Sequence, residues 1–339
     1  MAQVLGTIVR VGVDLAHSVL QVHAVDAAGA VVVARKLVRA DFLQWCNQLP
    51  SGCLIAMEAC ATSHHLAAKI AALGLEPRLI APFHVVPFRM SGKSGKNDAN
   101  DAAAICEAAS RPQMRFVTVK TPEQQAVLAV HRLREGFIEE RTAFTNRTRG
   151  LLAEAGVFKA LRGASFRAAI PEVAQDAEQI SNELLRQALR LAGQHLIEID
   201  GRIAWCDRHI QAHAKACPEV RKAMEVPGIG VLTASAVVAT VGDFARFKNG
   251  RQFSAWLGLV PRQRSSGGMQ RLGRITKRGD RYLRKLLFMG GRSVLFRAKH
   301  LDDPLSVWAG QVRQRAGWAK AQVAVANKCA RMLWRAQRT

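Results

Sequence analysis

The sequence predicts an α/β domain with a mixed sheet, followed by a long helical connector and a mainly helical C-terminal domain. At about 100–200 residues per domain, the 339 residues are enough for more than one domain. Strand and helix patterns alternate near the N-terminus, whereas two long charged stretches further on have only helical spacing. We therefore place the predicted domains at residues 1–115, 116–221 and 222–339.

The N-terminal domain is predicted to begin with a meander of three strands. Residues 7–14, 19–25 and 30–37 are rich in β-formers, and Asp26-Ala-Ala-Gly29 has the composition of a tight turn. Apolar runs and helical patterns then alternate, with strands predicted at 53–57 and 78–81 and helices at 42–49, 63–73 and 98–109. A meander followed by such alternation is typical of a mixed sheet with helices on both faces.

The connector is predicted to be an antiparallel pair of helices over residues 122–155 and 182–216, with an irregular segment at 156–171. The C-terminal domain then opens with Val226-Pro-Gly-Ile-Gly230 ahead of a helix. This turn resembles the hairpin of helix-hairpin-helix motifs, in which backbone N–H groups hold a phosphate. Gly228 and Gly230 are therefore candidate nucleic-acid contacts, although Gly-x-Gly also makes ordinary turns.

Positive charge is concentrated in the C-terminal domain. The chain has 49 Lys and Arg against 26 Asp and Glu, and residues 222–339 hold 23 of the basic and only 5 of the acidic residues. Such a one-sided excess indicates a polyanionic partner, most often nucleic acid. A solubilising surface and an anionic membrane are weaker alternatives, and no apolar run is long enough for a transmembrane helix.

Four carboxylates fall on separate predicted elements that a mixed sheet can bring together. Asp14 lies on the first strand, Glu58 ends a buried strand, and Asp98 and Asp101 share one face at a helix start. Clustered like charges are costly unless they bind a cation, and Mg²⁺ or Mn²⁺ prefers such oxygen ligands. Each residue also has an ordinary alternative: helix capping for Asp98, the helix dipole for Asp101, and an ion pair for Glu58.

Glycine, serine and arginine dominate a basic segment of the C-terminal domain. Such a segment approaches phosphates closely, its guanidinium groups grip phosphate oxygens, and a serine there can attack phosphorus. No histidine lies beside the serines in the sequence, so a base must come from elsewhere, and both serines also suit a simple turn. The candidate nucleic-acid contacts in this segment are Arg262, Arg264, Gly267, Arg271, Arg274, Lys277 and Arg278.

The four carboxylates lie in three short motifs: Gly12-Val-Asp14-Leu15, Met57-Glu58-Ala-Cys60 and Lys96-Asn-Asp98-Ala-Asn-Asp101-Ala102. They resemble those of the DEDD insertion-sequence transposases, the insertion sequence one-ten family, which includes the Piv invertases. The resemblance implies a RuvC-like N-terminal domain with a ribonuclease-H fold. It also implies that these four carboxylates form a metal-binding tetrad.

Residues 253–286 resemble the C-terminal transposase domain of the same family, with its G-L-x-P, S-G and R-x-x-K-x-G features. In that family one serine of this segment forms a phosphoserine link to DNA, and the match falls on Ser266. Ser265 is a neighbouring alternative and Ser254 a weaker one. The resemblance, which covers about residues 11–294, implies a recombinase that cuts and rejoins donor and target DNA.

The resemblance also implies further partners. These are a structured non-coding RNA, the bridge RNA, and other copies of the chain in a homodimer or homotetramer. We expect a cytoplasmic protein, associated with the nucleoid when it is bound to DNA.

Three other functional classes stay open. A metal-dependent junction resolvase would use the carboxylates and water alone. An actin-like ATPase would share the Gly12-Val-Asp14-Leu15 strand and hairpin but leaves the basic domain unexplained. A non-catalytic nucleic-acid binder would need neither site.

Several further residues have an ordinary structural interpretation. We expect surface positions for His64, His65, His209 and His213, and helix packing for Trp308, Trp318 and Trp334. We expect the segment 92–96 to be a mobile basic loop, because it lacks the full phosphate-loop pattern.

Overall fold

The computed structural model describes residues 5–89, 97–158 and 163–338. The chain forms two compact units, Met1–Glu123 and Gln124–Thr339. The basic loop predicted at 92–96 lies outside the described residues.

The first unit contains a mixed sheet whose strands, in the described residues, lie in the order β3-β2-β1-β4-β5-β6. β1, β2 and β3 form an antiparallel meander, while β4 is parallel to β1 and β5 is parallel to β4. β6 closes the edge beside β5 as an antiparallel strand. The predicted mixed sheet is confirmed. Its strands are β1 Arg10–Leu15, β2 Val19–Val25, β3 Val31–Val38, β4 Leu54–Glu58, β5 Glu76–Ile80 and β6 Phe116–Val117.

Helices cover both faces of this sheet, as the sequence predicts. Along a strand successive side chains point to opposite faces, so Val11 and Val13 face one layer while Gly12 faces the other. The first layer holds α1 and α2, whose buried side chains join those of Val11 and Val13 in one core. The second layer holds α4, which packs on β1, β2 and β4. The helices are α1 Phe42–Cys46, α2 Ser63–Ala72, α3 Pro82–Val85 and α4 Asp98–Ala109.

The second unit begins with two long antiparallel helices, α5 (Pro122–Glu154, whose first two residues precede the unit boundary) and α7 (Glu183–Ala216). Ion pairs fix their antiparallel register: Arg134 Nε lies 2.6 Å from Asp207 Oδ1, and Arg141 Nη1 lies 2.6 Å from Asp200 Oδ1. The predicted arm is therefore confirmed.

The irregular segment predicted at 156–171 is wrong in its second half. A helix, α6 (Gly163–Gln175), lies there and packs on α7. Pro171 sits inside it, and an internal proline usually ends a helix. Phe166 and Ile170 are nevertheless buried in one small core with Leu189 of α7, and this packing outweighs the local penalty.

The rest of the second unit is a helical core with one β-hairpin. Helices α8 to α13 share a continuous core that includes Val237, Phe253, Leu287 and Val325. Trp308, Trp318 and Trp334 are partly buried against this core, which confirms their packing role. The elements are α8 Pro218–Met224, α9 Val231–Val241, α10 Gly250–Trp256, β7 Pro261–Gln263, β8 Leu272–Ile275, α11 Arg281–Arg297, α12 Pro304–Ala316 and α13 Trp318–Ala336.

In the described part of the chain, no helix combines the length and the apolarity needed to cross a membrane.

Candidate functional site

The sheet brings two of the predicted acidic residues to adjacent strand ends. β1 and β4 are parallel neighbours, with Val13 paired to Met57. Asp14 and Glu58 follow these paired residues, so they lie next to each other at the carboxyl ends of the two strands. Both point away from the layer that buries Val13 and Met57, towards the face that α4 covers.

Helix α4 brings the other two carboxylates to the same face. A Cβ added to Gly12 would lie 2.2 Å from the carbonyl oxygen of Ala102, so the missing side chain lets α4 approach β1 closely. The helix is capped by Asn97, whose side chain accepts a hydrogen bond from the backbone N–H of Asn100 at 2.8 Å. The capping role suggested for Asp98 is therefore wrong. Asp101 faces inward and is buried, whereas Asp98 is exposed.

Electrostatic interactions among the carboxylates change the pKa of Asp14. Burial raises the pKa of Asp14 above its ordinary value, and the negative charges of Asp101 and Asp98 raise it further. A hydrogen bond from the backbone of Leu15 and the positive charge of Arg89 act in the opposite direction. This is the electrostatic signature of carboxylates gathered on one face, where a nearby cation is favourable.

Arg89 is the site residue that sequence analysis missed. Its Nε lies 2.7 Å from Asp101 Oδ1 and its Nη2 lies 3.5 Å from Glu58 Oε1. The Arg89 side chain is 20% exposed, against 18% for Glu58 and 8% for Asp101, so this ion-pair cluster is largely shielded from water. Lys36 makes a looser contact, with its Nζ 3.8 Å from Asp98 Oδ2. No pattern around Arg89 in the sequence indicated this role, because its partners lie on distant elements.

The donor chemistry of this face fits an oxygen-preferring divalent cation. Asp14, Glu58, Asp98 and Asp101 offer only carboxylate oxygens, the ligands that Mg²⁺ and Mn²⁺ favour. Within residues 5–89, 97–158 and 163–338, no three His, Cys, Asp or Glu side chains are gathered closely enough to hold a metal ion. The guanidinium of Arg89 supplies positive charge to Glu58 and Asp101.

The predicted serine segment forms an exposed β-hairpin. β7 and β8 pair antiparallel, and the backbone N–H of Met269 donates to the carbonyl oxygen of Ser266 at 3.1 Å to close the tip. Gly267 and Gly268 both have positive φ, of 56° and 78°, which glycine adopts without strain. Ser266 is exposed at this tip.

The hairpin also gathers the predicted basic residues. It borders a cavity of about 1100 Å³ lined by both tip serines and by five basic side chains, with no acidic residue among those that line it. The basic residues lining the cavity are Arg262, Arg264, Arg271, Arg274 and Lys277. Arg278 is exposed but does not line it.

The three candidate serines differ in their surroundings. Ser254 is 1% exposed and donates to the carbonyl oxygen of Arg251 at 3.1 Å, which makes it inaccessible to a DNA strand. Ser265 accepts hydrogen bonds from the side chain of Gln263 at 3.0 Å and from the backbone N–H of Arg271 at 3.3 Å. These bonds hold the Ser265 hydroxyl within the hairpin.

The base of the hairpin is anchored by close backbone contacts. A Cβ on Gly258 would lie 2.7 Å from the backbone nitrogen of Arg278, and one on Gly279 would lie 2.3 Å from the carbonyl oxygen of Trp256. The buried guanidinium of Arg284 donates to the carbonyl oxygens of Leu257 at 3.2 Å and Gly279 at 3.0 Å. The hairpin therefore emerges from a rigid base.

The predicted helix-hairpin-helix-like turn lies between α8 and α9, which pack on each other. Gly228 has a positive φ of 80° and packs against α11, because a Cβ on Gly290 would lie 1.9 Å from its carbonyl oxygen. Gly230 is exposed at the start of α9. Gly228 thus has a structural role in the turn, and phosphate binding by the turn stays a prediction.

The expectation of surface histidines is only half right. His65 and His209 are exposed, but His64 is half-buried and its Nδ1 accepts from the backbone N–H of Lys120 at 3.1 Å. His213 is also half-buried, because α9 packs on α7 there, and its Nδ1 lies 3.0 Å from Ser235 Oγ.

His213 belongs to a buried polar network that sequence analysis missed. Ser235 Oγ also lies 3.0 Å from Nε2 of His131, whose Nδ1 lies 3.0 Å from the Tyr282 hydroxyl. The network joins α5, α7, α9 and α11 at one point. Burial lowers the pKa of His131 to about 4, helped by the charges of Arg134 and His213. His131 is therefore a neutral packing residue at physiological pH.

Comparison with known proteins decides the family. A family model described as "Transposase IS116/IS110/IS902 family" matches residues 220–304. A second model, a transposase of the DEDD IS110 type, matches residues 11–157. A probable family 20 transposase of Pseudomonas aeruginosa is 46% identical over 326 residues, which cover 96% of this chain and 95% of that protein. The chain belongs to the IS110/IS116/IS902 transposase family.

Two further relatives of the transposase carry insertion-sequence names. The transposase for insertion sequence element IS1111A of Coxiella burnetii is 39% identical, covering 95% of this chain and 88% of that protein. The transposase for IS1328 of Yersinia enterocolitica is 36% identical, covering 96% and 95%. The resemblance to this transposase family is confirmed, and membership implies an enzyme that cuts and rejoins DNA.

Proposed function

We propose that this transposase cuts and rejoins DNA strands with Ser266 as nucleophile and with Asp14, Glu58, Asp98 and Asp101 as metal ligands. The observation that carries the proposal is the hairpin. It presents an exposed serine at its tip, beside a cavity lined by five Lys and Arg side chains and by no acidic one. A phosphodiester that enters this cavity meets guanidinium groups that bind its oxygens and a hydroxyl within reach.

The proposed chemistry is two successive transesterifications. In the first, the Ser266 oxygen bonds to phosphorus, one P–O bond of the strand breaks, and the departing oxygen takes up the proton that the serine loses. In the second, a free strand hydroxyl attacks the phosphoserine, the bond to Ser266 breaks, and the serine hydroxyl is restored. Each step exchanges one phosphate ester for another, so no ATP is needed.

The basic hairpin side chains have a specific part in these steps. Negative charge builds up on the non-bridging oxygens as the nucleophile approaches phosphorus, and fixed guanidinium groups stabilise it. Arg262, Arg271 and Arg274 line the same cavity as Ser266 and are suited to this role. The rigid base formed by Gly258, Gly279 and Arg284 supports their positions.

For the first unit we propose a RuvC-like ribonuclease-H fold. The support is the order of the strands, with an antiparallel β3-β2-β1 meander followed by parallel β4 and β5. When bound, Mg²⁺ or Mn²⁺ would neutralise phosphate charge and polarise a reacting oxygen. Asp14, Glu58 and Asp101 would hold it after Arg89 moves away, and Asp98 would complete the set from its exposed position.

We propose donor and target DNA as substrates, with a bridge-type non-coding RNA as guide. The basic charge of residues 222–339 supports nucleic-acid binding without distinguishing DNA from RNA. We also propose that the protein acts as a homodimer or homotetramer, which the family resemblance implies together with the guide, and that its domains meet near residues 115 and 221.

The decisive test is a protein–DNA adduct. Purified protein is incubated with Mg²⁺, RNA transcribed from the flanking element and end-labelled donor and target DNA, and denaturing gels reveal any covalent complex. The wild-type protein and Ser265→Ala should form the adduct, Ser266→Ala should not, and Asp14→Ala should lose it together with cleavage.

Two results would contradict the proposal. Cleavage without an adduct that persists in Ser266→Ala would indicate a metal-dependent nuclease that uses water. An adduct lost in Ser265→Ala but kept in Ser266→Ala would move the nucleophile by one residue. Thermal unfolding of each variant shows whether its fold is intact.

A further inference from the structure

We propose that a nucleic-acid strand continues from the Ser266 hairpin along a basic path on α13, held by its phosphates. This inference rests on the proposed function, because it says where the nucleic acid bound at the hairpin goes next. The basic path is defined by three adjoining cavities in the second unit.

The three cavities are connected through shared wall residues. The hairpin cavity shares Ile275 with a second cavity of about 550 Å³, whose wall also contains Lys320 and Lys328. The second cavity shares Lys328 and Arg331 with a third of about 460 Å³, whose wall also contains Arg335. The three cavities therefore adjoin one another, from the hairpin to Arg335 near the end of α13.

The spacing along α13 places its basic residues on one stripe. Lys320, Lys328, Arg331 and Arg335 are separated by multiples of three and four residues, which lie on the same side of a helix. At 1.5 Å per residue the stripe is about 22 Å long. This length is enough for several nucleotides of an extended strand.

The charge of the path is uniformly positive. Ten Lys and Arg residues line the three cavities, and none of the residues that line them is acidic. The sequence from 304 to 338 contains no Asp or Glu at all. A groove of this kind concentrates polyanions, because no carboxylate repels the phosphates.

One contact favours phosphate binding over base stacking. Lys328 Nζ lies 4.0 Å from the ring centroid of Trp308, and Trp308 is itself partly buried against the helical core. The indole thus holds an ammonium group at the wall of the path through a cation–π contact. The chemistry that fits is a phosphodiester backbone, which DNA and RNA share.

The test compares two variants with the same loss of charge. The path variant is Lys320→Gln/Lys328→Gln/Arg331→Gln. The control variant, Arg132→Gln/Arg208→Gln/Lys215→Gln, changes three exposed residues of the same unit that line none of the three cavities. Fluorescence anisotropy measures the affinity of each protein for duplex DNA, single-stranded DNA and single-stranded RNA over a series of salt concentrations.

Each phosphate contact contributes about 0.9 to the slope of log K against log salt for duplex DNA, and about 0.7 for a single strand. With three contacts removed, the slope of the path variant should be smaller in magnitude than the wild-type slope by about 2–3 on the nucleic acid that occupies the path. The control variant should have the same slope as the wild type. The ligand that shows the largest loss identifies the strand as DNA or RNA. Lys320→Gln/Arg331→Gln changes only exposed side chains and should lose about 1–2.

The outcomes separate this inference from the function on which it rests. A wild-type protein whose affinity is independent of salt would overturn nucleic-acid binding by the basic domain as a whole. A steep wild-type slope that stays unchanged in both path variants would overturn the path alone. Equal losses in the path and control variants would also overturn it, since the effect would then belong to net charge.

Discussion

Gly12 on β1 and Cys106 on α4 lie so close that a Cβ on the glycine would be 2.5 Å from the backbone nitrogen of Cys106. The same Cβ would be 2.2 Å from the carbonyl oxygen of Ala102. Only a residue without a side chain lets α4 sit this close to the sheet. Because α4 carries Asp98 and Asp101 while β1 carries Asp14, this close contact brings the carboxylates of the helix towards that of the strand.

Gly12→Ala should therefore destabilise the first unit and move the carboxylates of α4 away from Asp14. The two nearest clashing atoms belong to the backbone of α4, so the helix itself must move, and overpacking of this kind costs about 1–3 kcal/mol. Urea denaturation followed by circular dichroism measures the loss. The matched control is Gly201→Ala on α7, where nothing lies within 4 Å of the added Cβ. It should be neutral or stabilising by up to about 1 kcal/mol, and an unchanged midpoint for Gly12→Ala would disprove the close contact.

Arg89→Gln should bind Mn²⁺ about tenfold more tightly than the wild type, a gain of about 1.4 kcal/mol. The guanidinium of Arg89 contacts Glu58 and Asp101 and so competes with a metal for their oxygens. Removing it also leaves shielded carboxylates without their counter-charge, which lowers stability in the absence of metal. Isothermal titration measures the affinity, and thermal unfolding with and without Mn²⁺ gives a second readout.

The control for this prediction is Arg35→Gln. It removes the same charge from an exposed position on β3 of the same unit, so its affinity for Mn²⁺ should stay near that of the wild type. Weaker binding of Mn²⁺ by Arg89→Gln would mean that Arg89 supports the metal site and does not compete for it.

The stability of the second unit should fall in mild acid because of His131. The pKa of this histidine is lowered to about 4 in the folded chain, against an ordinary value of 6.5, so the unfolded chain binds a proton first. The stabilisation that depends on a neutral His131 is fully present above pH 6.5 and is lost as the pH falls towards 4. Because the unfolded chain binds this proton more tightly, the free energy of unfolding should fall by about 2 kcal/mol between pH 7 and pH 5.

Urea denaturation at a series of pH values checks this prediction, with His131→Gln as the comparison. The variant cannot titrate at this position, so its stability should be lower at pH 7 but flatter between pH 7 and pH 5. The exposed His209 offers a control, since His209→Gln should keep the pH dependence of the wild type. Parallel pH profiles for wild type and His131→Gln would refute the assignment.

Gly258→Ala should impair the hairpin far more than Gly273→Ala. At Gly258 the φ is +73° and an added Cβ would lie 2.7 Å from the backbone nitrogen of Arg278, so the hairpin base must shift. At Gly273 the nearest atom is 3.7 Å away, which is an ordinary contact. A misplacement of about 1 Å near a reacting group can cost about 100-fold in rate.

Adduct formation measured over time compares the two glycine variants. Gly258→Ala should slow the appearance of the phosphoserine adduct by about 100-fold, and Gly273→Ala should stay within a few-fold of the wild type. Equal rates in both variants would show that the base of the hairpin does not control the position of Ser266.

Local patterns in the sequence were sufficient for much of the fold. Segments rich in β-formers, with a turn at Asp26–Gly29, predicted β1 to β3, and short apolar runs predicted β4 and β5. Two long charged stretches with helical spacing predicted α5 and α7. Oppositely charged residues such as Arg134 and Asp207 pair between these two helices. The exception is α6, which begins inside the segment predicted to be irregular and is stabilised there by the burial of Phe166 and Ile170.

Local sequence patterns show which reactive residue types are available: four carboxylates at strand and helix ends, and two serines in a basic glycine-rich segment. Which of these residues meet, and which side chains lie beside them, depends on the tertiary structure. The parallel pairing of β1 with β4 brings Asp14 next to Glu58, and Arg89 joins Glu58 and Asp101. Likewise, His131 meets Ser235 at the point where side chains of α5, α7, α9 and α11 come together. Such contacts join residues far apart in the chain, and their geometry depends on packing that no local spacing records.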